Sequence, residues 1–209
     1  MQEQFSGAPP TNLVVMVNLT RIYTRTGDGG TTRLGDMSET SKNDVRLHAY
    51  ADVDEANAHL GVVLAHDDLE EDVEAVLIHV QNDLFDVGAD FCTPVVPDPP
   101  HPPLRITQDY VDRLESWCDE FNADLPALRS FILSGGTPAA AHLHVARTVV
   151  RRAERSAWAA YDEYGDSMNK LAILYLNRLS DLVFILARYV NRERGDVLWV
   201  PGGERGEQS

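Results

Sequence analysis

The chain has 209 residues, 44% of them hydrophobic, enough to bury a substantial core as one domain or as two small ones. Acidic side chains outnumber basic ones 33 to 18, for a formal net charge of −15. That balance argues against nonspecific nucleic-acid binding and against attraction to anionic membranes, while leaving room for a small polyphosphate in a local positive pocket.

Residues 1–17 read as a loose leader, with Gly, Pro and Ser and little periodicity. Residues 22–34, IYTRTGDGGTTRL, begin like a short strand and pass into Thr, Gly and Asp. Gly27, Gly29 and Gly30 permit tight turns, Thr24, Thr26, Thr31 and Thr32 offer hydroxyls, and Arg25 and Arg33 offer charge. A plain glycine-rich hairpin and a loop whose N–H groups wrap a phosphate both fit this composition. The spacing is neither that of a Walker P-loop nor that of a dinucleotide-binding turn. Lys42 then leads into a first helix over residues 44–65, where Val45, Ala49, Val53, Ala56 and Leu60 recur at helical spacing. Asp52, Asp54 and Glu55 crowd its middle, either as a solvated acidic face or with one carboxylate, Asp54 the candidate, turned inward toward an arginine.

A second helix is expected over residues 69–91, with Gln81, Asn82 and Asp83 on its polar side. The proline-rich stretch 92–103 reads as a surface loop. His101 within it has no second ligand at metal spacing. A third helix follows over 107–123, with Tyr110, Leu114, Trp117 and Phe121 on its apolar side. FILSGG at 131–136 is a short extended piece and a glycine turn, and Phe131 suits either the core or the mouth of a pocket.

Thr137 as N-cap and Pro138 as first helical residue open a fourth helix over 138–164. On it Arg147 and Arg151 lie one turn apart, Glu154 and Arg155 are nearby, His144 leans the same way and Arg152 points elsewhere. A solvated basic surface fits that spacing. The concentration of arginine between 147 and 155 in so acidic a chain favours an anionic ligand, and the planar fork of arginine suits phosphate. The fifth helix, 169–194, closes at Gly195 and is apolar nearly all round. Asn177, Asp181 and Arg188 fall on one narrow line with Phe184 among them, facing either water or the arginine helix. Residues 197–200 add a short extended segment and residues 202–209 a frayed tail. Five helices with short connections predict an all-α, antiparallel bundle as a single domain over residues 18–201. Cys92 and Cys118 are too few for a disulfide framework and fit a reducing compartment, so the expected location is cytoplasmic.

Six stretches occur in order: residues 24–30 with Thr32 and Arg33, then 42–44, VDEAN at 53–57, FILxGG at 131–136, HVARTxxRRAER at 144–155 and NRLSD at 177–181. Together they closely resemble the PduO-type ATP:cob(I)alamin adenosyltransferases. The resemblance implies a five-helix bundle of ferritin-like topology, assembled as a homotrimer with active sites between subunits. It implies transfer of the 5′-deoxyadenosyl group of ATP to cob(I)alamin with Mg²⁺ present, giving adenosylcobalamin and triphosphate. A cobalamin reductase and an adenosylcobalamin-dependent mutase are the implied partners.

Residue by residue, the resemblance places Thr24, Arg25, Thr26, Gly27, Thr32, Arg33 and Lys42 in the nucleotide site. It adds the segment Arg151, Arg152, Glu154 and Arg155, together with Asn177. Asp54 and Arg147 match a salt bridge between subunits, and Phe131 matches the aromatic on cobalamin's lower axial side. Arg151, Phe131, Asp54 and Arg147 are the residues it implies for catalysis. The chain departs from the pattern in having Gly29 where lysine is frequent, Ser134 where proline is common, and no aromatic after Trp199. Two other activities fit an anion site on a helical bundle: a nucleotide hydrolase, and a non-enzymatic carrier of cobalamin or nucleotide. A di-metal bundle is disfavoured because no E-x-x-H motif is present.

Overall fold

The computed structural model describes residues 23–66 and 69–202. The expected leader, the strand-like start at Ile22 and residues 203–209 of the tail lie outside that range. Among the described residues are one two-stranded antiparallel sheet, β1 (Thr31–Arg33) and β2 (Glu39–Ser41), with Thr32 opposite Thr40. Five α-helices follow: α1 (Val45–Leu64), α2 (Glu71–Cys92), α3 (Gln108–Ala123), α4 (Pro138–Tyr164) and α5 (Lys170–Tyr189).

Local chemistry explains where the helices begin. The Asp44 carboxylate accepts from the Arg46 N–H at 2.8 Å, the Thr137 hydroxyl accepts from the Ala140 N–H at 3.2 Å, and the Asn169 side chain accepts from the Leu171 N–H at 3.0 Å. Glu71, Asp72 and Glu74 place negative charge on the first turn of α2, where the helix dipole favours it. The fifth helix stops at Tyr189, short of the expected Arg194. Residues 190–194 form turns instead, and the Asn191 carbonyl accepts from the N–H groups of both Arg194 (3.0 Å) and Gly195 (2.9 Å).

Side-chain pairs set the directions. Tyr164 meets Asp44 (2.6 Å), Ser156 meets Asp52 (2.5 Å) and His142 meets His66 (2.8 Å), so α4 runs antiparallel to α1. Arg46 reaches the Phe91 carbonyl and Asn57 the Gln81 carbonyl, both at 3.0 Å, so α2 opposes α1. Asn177 donates to Glu154 at 3.0 Å and His144 faces Phe184, so α5 opposes α4. Leu60, Leu77, Leu114, Leu143 and Leu176, one from each helix, have no exposed surface and belong to one shared core.

Two buried polar knots brace the bundle, the first of them at a position the sequence suggested was surface. Asp83, expected on the polar side of α2, is only 4% exposed; it accepts from Arg113 (2.8 Å) and from the Tyr175 hydroxyl (3.1 Å). Partners on α3 and α5 make that burial tolerable, and nothing within α2 announces them. Arg46, 2% exposed, donates to the Phe91 carbonyl and the Ser167 hydroxyl and lies 4.7 Å from the centre of the Tyr164 ring. It clamps the ends of α1, α2 and α4 beneath the hairpin. Gly35 closes the hairpin against this base: its N–H donates to the Cys92 carbonyl at 2.8 Å, and a Cβ there would strike Thr93.

Candidate functional site

Cationic side chains gather in two places. The first is the hairpin together with the loop that leads into it, where Thr26, Gly27, Thr31, Thr32, Arg33 and Glu39 line a cleft of about 550 Å³. The Thr24 and Thr26 hydroxyls share a hydrogen bond at 2.9 Å. Arg25 takes a left-handed backbone conformation, φ +62°, as does Gly30 at +84°. The Lys42 N–H donates to the Gly30 carbonyl at 2.9 Å, and its ammonium lies 2.9 Å from where a Cβ on Gly27 would stand. Gly27 therefore lets Lys42 close over the loop. Thr24, Arg25, Thr26 and Gly27 lie in the turn that precedes β1, Thr32 and Arg33 on β1, and Lys42 just after β2, so the glycine stretch leads into the hairpin and does not form its turn.

The second place is the groove between α4 and α5. Arg147, Arg151, Ser180, Asp181, Phe184 and Ile185 line a cleft of about 320 Å³. One helical turn along, Glu154 accepts from Asn177, and the Arg155 guanidinium donates to the Arg151 carbonyl at 3.0 Å. The polar line on α5 thus meets the arginine helix at Asn177. Arg188, on the same line, is instead buried with Asp196 (2.8 Å) and the Pro126 carbonyl (2.8 Å). Arg147 stacks its guanidinium 5.8 Å from the Phe184 ring centre, and its Nε is buried without a hydrogen-bond partner among the described residues. Burial, and then the neighbouring Arg151 charge, push its pKa down.

Arg152 leaves this group, as its position on the helix suggested. It turns to α1, where Asp52 (3.2 Å) and Glu55 hold it. The carboxylates that meet an α4 arginine are therefore Asp52 and Glu55. The inward-turned alternative for Asp54 is not what the chain adopts: Asp54 is exposed on the flank of α1. There it lines an apolar cleft of about 420 Å³ with Tyr50, Asn57, Phe85 and Cys92. No ion pair joins Asp54 to Arg147 within the described residues. Nor, among the described residues, does a hydrogen bond join the loop to the groove; Arg151 lies about 20 Å along α4 from Tyr164, whose hydroxyl donates to Asp44 at the start of α1.

Phe131 stands at the opposite end of the molecule. The residue is 78% exposed and its ring meets Trp199 edge-on, centroids 6.1 Å apart. The core alternative is thereby removed. The extended piece around Phe131 pairs with the extended C-terminal segment: Ile132 bridges Leu198, the Trp199 N–H donates to the Phe131 carbonyl at 2.7 Å, and the Leu133 N–H to the Val197 carbonyl at 2.8 Å. The sequence marks both segments as extended; their pairing carries no local signal.

Between Phe131 and the groove lies a cleft of about 260 Å³ lined by Leu133, Gly136, His144, Asn191 and Asp196. His144 is 4% exposed, and its Nδ1 is buried without a partner among the described residues. Burial, then the Arg147 charge, lower its pKa, so the imidazole is held neutral. The unfolded chain, with a histidine pKa of about 6.5, binds that proton more readily, so stability falls as pH drops through about 6.5. Denaturant unfolding at pH 7.5 and pH 5.5 should show a smaller acid loss in His144→Gln than in the parent. An equal loss in both would remove His144 as the cause.

Residues 22–190 match the cobalamin adenosyltransferase family. The chain belongs to that family. It is 63% identical over 189 residues to a corrinoid adenosyltransferase of Mycobacterium tuberculosis (strain ATCC 25618 / H37Rv), covering 90% of this chain and 97% of that one. The family extends to a Bacillus subtilis (strain 168) corrinoid adenosyltransferase, 38% identical over 178 residues and covering 84% and 89% of the two chains. Among solved structures, a variant PduO-type ATP:corrinoid adenosyltransferase from Lactobacillus reuteri, complexed with cobalamin and ATP, superposes with a TM-score of 0.80 at 37% identity. That match covers 87% of this chain and all of the other. No helix among the described residues is long and apolar enough to cross a membrane.

Proposed function

We propose that the hairpin loop and the α4–α5 groove are the two halves of one ATP site, completed when the loop of one subunit meets the groove of the next. The chain transfers the 5′-deoxyadenosyl group of ATP to the cobalt of cob(I)alamin. The cobalt–carbon bond forms as the bond from C5′ to the triphosphate oxygen breaks, and triphosphate leaves with the electron pair. The observation that carries this reading is the split of the cationic residues: Lys42 and Arg33 gather in the loop and Arg151 in the groove, with no hydrogen bond or ion pair between the two among the described residues of one chain. A head-to-tail contact between unlike surfaces closes into a ring, here a trimer. Asp54 in its apolar cleft and Arg147 with its unpartnered Nε are the complementary points, one on each side of that contact. The five helices are read as one antiparallel, ferritin-like bundle over residues 18–201.

The nucleophile belongs to the corrinoid, so no side chain needs to act as a base. Thr24, Arg25, Thr26, Gly27, Thr32 and Arg33 cradle the phosphates, and Lys42 closes over them. Arg151 and Arg155 neutralise charge as triphosphate departs, while the Glu154–Asn177 pair orients the nucleoside. Arg152 acts through α1, holding the arginine helix in place. Mg²⁺ is carried on the triphosphate in this reading, since that ion keeps several waters and is bound largely through substrate phosphates. Phe131 covers the lower face of cobalt. A reductase that supplies the electron and a mutase that receives the product complete the cytoplasmic setting.

The test mixes protein, ATP, Mg²⁺ and chemically reduced cobalamin and follows the absorbance of a new cobalt–carbon bond. Phosphate release without that bond would make the chain a hydrolase, and binding without turnover a carrier. For the assembly, Asp54→Ala and Arg147→Ala should each shift the trimer toward monomer in sedimentation, or lower activity about tenfold or more, in keeping with a buried interfacial charge left unpaired. Normal behaviour of both single variants would dismiss the pair.

A further inference from the structure

We infer that Asn191 is a positioning residue for Phe131: its buried carboxamide fastens together the two chain segments that present the ring. This rests on the reading of Phe131 as the cover over cobalt. Phe131 is 78% exposed and its ring meets Trp199, a neighbour on the same ladder, so the buried core does not place it. Its position comes from the short ladder between residues 131–133 and 197–199. Each strand of that ladder adjoins a glycine turn, Gly135–Gly136 on one side and Gly195 on the other, with φ of +107° at Gly136 and +83° at Gly195. Glycine turns hold direction poorly unless something ties them.

Asn191 ties both. Its Oδ1 accepts from the Thr137 N–H at 3.0 Å, and its Nδ2 donates to the Gly195 carbonyl at 2.9 Å. The side chain is 5% exposed, and its Cγ lies 2.6 Å from where a Cβ on Gly136 would stand, so the glycine turn is seated flush against the amide. A carboxamide supplies an acceptor and a donor at the same reach, which an ionised carboxylate does not. The Arg194 guanidinium adds an exposed tie to the Gly136 carbonyl at 3.2 Å. Through Thr137, the N-cap of α4, the same amide links the Phe131 ladder to the start of the arginine helix.

The experiment compares the parent with Asn191→Ala, Asn191→Asp and Phe131→Ala, each loaded with ATP and cobalt(II) cobalamin. Electron paramagnetic resonance reads the fraction of four-coordinate cobalt, calorimetry reads ATP affinity, and thermal melting checks the fold. Asn191→Asp keeps the acceptor for the Thr137 N–H, and so the helix cap, while losing the donor to Gly195. Both Asn191 variants should lower the four-coordinate fraction at least about threefold, toward the Phe131→Ala value, with ATP affinity held within about twofold. A folded Asn191→Asp with the parent's four-coordinate fraction, beside a Phe131→Ala that loses it, overturns the role of Asn191. A Phe131→Ala that itself keeps the parent's fraction overturns the reading of Phe131, and the inference with it.

Discussion

Replacing Arg151 by alanine is expected to lower the adenosylation rate about 10²- to 10³-fold and to weaken ATP binding, the usual cost of removing one preorganised partner for developing charge. The residue lines the α4–α5 cleft, is exposed, and has no ion pair among the described residues. Its neighbour Arg152, one position on, is already held by Asp52 and Glu55. Arg151 also presses on Arg147, whose depressed pKa reflects burial first and the Arg151 charge second. A polyanion entering the cleft would relieve that repulsion and gain a planar, bidentate donor. Calorimetric titration with ATP reads the effect directly, and an isotherm identical to the parent's would take Arg151 out of the site.

Phe131→Ala is expected to leave ATP affinity within about twofold and fold stability within about 0.5 kcal/mol, because so exposed a ring contributes little packing. Adenosylation starting from cobalt(II) should nevertheless fall about 10²-fold or more, as a misplaced reacting geometry does. An aromatic side chain over the lower face excludes an electron-donating ligand, and axial donors govern how readily such a metal centre accepts an electron. With chemically reduced cobalt(I) supplied, the deficit should shrink, since the step that needs the ring has been bypassed. Unchanged turnover from cobalt(II) would end this role for Phe131.

Much of the architecture was legible along the chain. The apolar spacing of α1 to α4 and the Thr137–Pro138 start of the arginine helix are local signals, and each appears within a residue or two of its expected place. The grouping of Arg147, Arg151, Glu154 and Arg155 follows from helical geometry alone. Partner choice was not legible. Asp52, Asp54 and Glu55 look alike in the sequence, yet two of them grip Arg152 and one faces outward, because the rotation of α1 against α4 selects among them. Asp83 is buried only because Arg113 and Tyr175 arrive from other helices.

Periodicity, caps and the ordered family motifs were therefore sufficient for the helical class, the arginine surface and the family. Folding in three dimensions added the separation of loop from groove, the ladder that carries Phe131, and the amide that ties it down. The physical reason is range: a helix is specified by residues three or four apart, whereas a buried charge or a bridged turn is stable only through partners brought from distant parts of the chain.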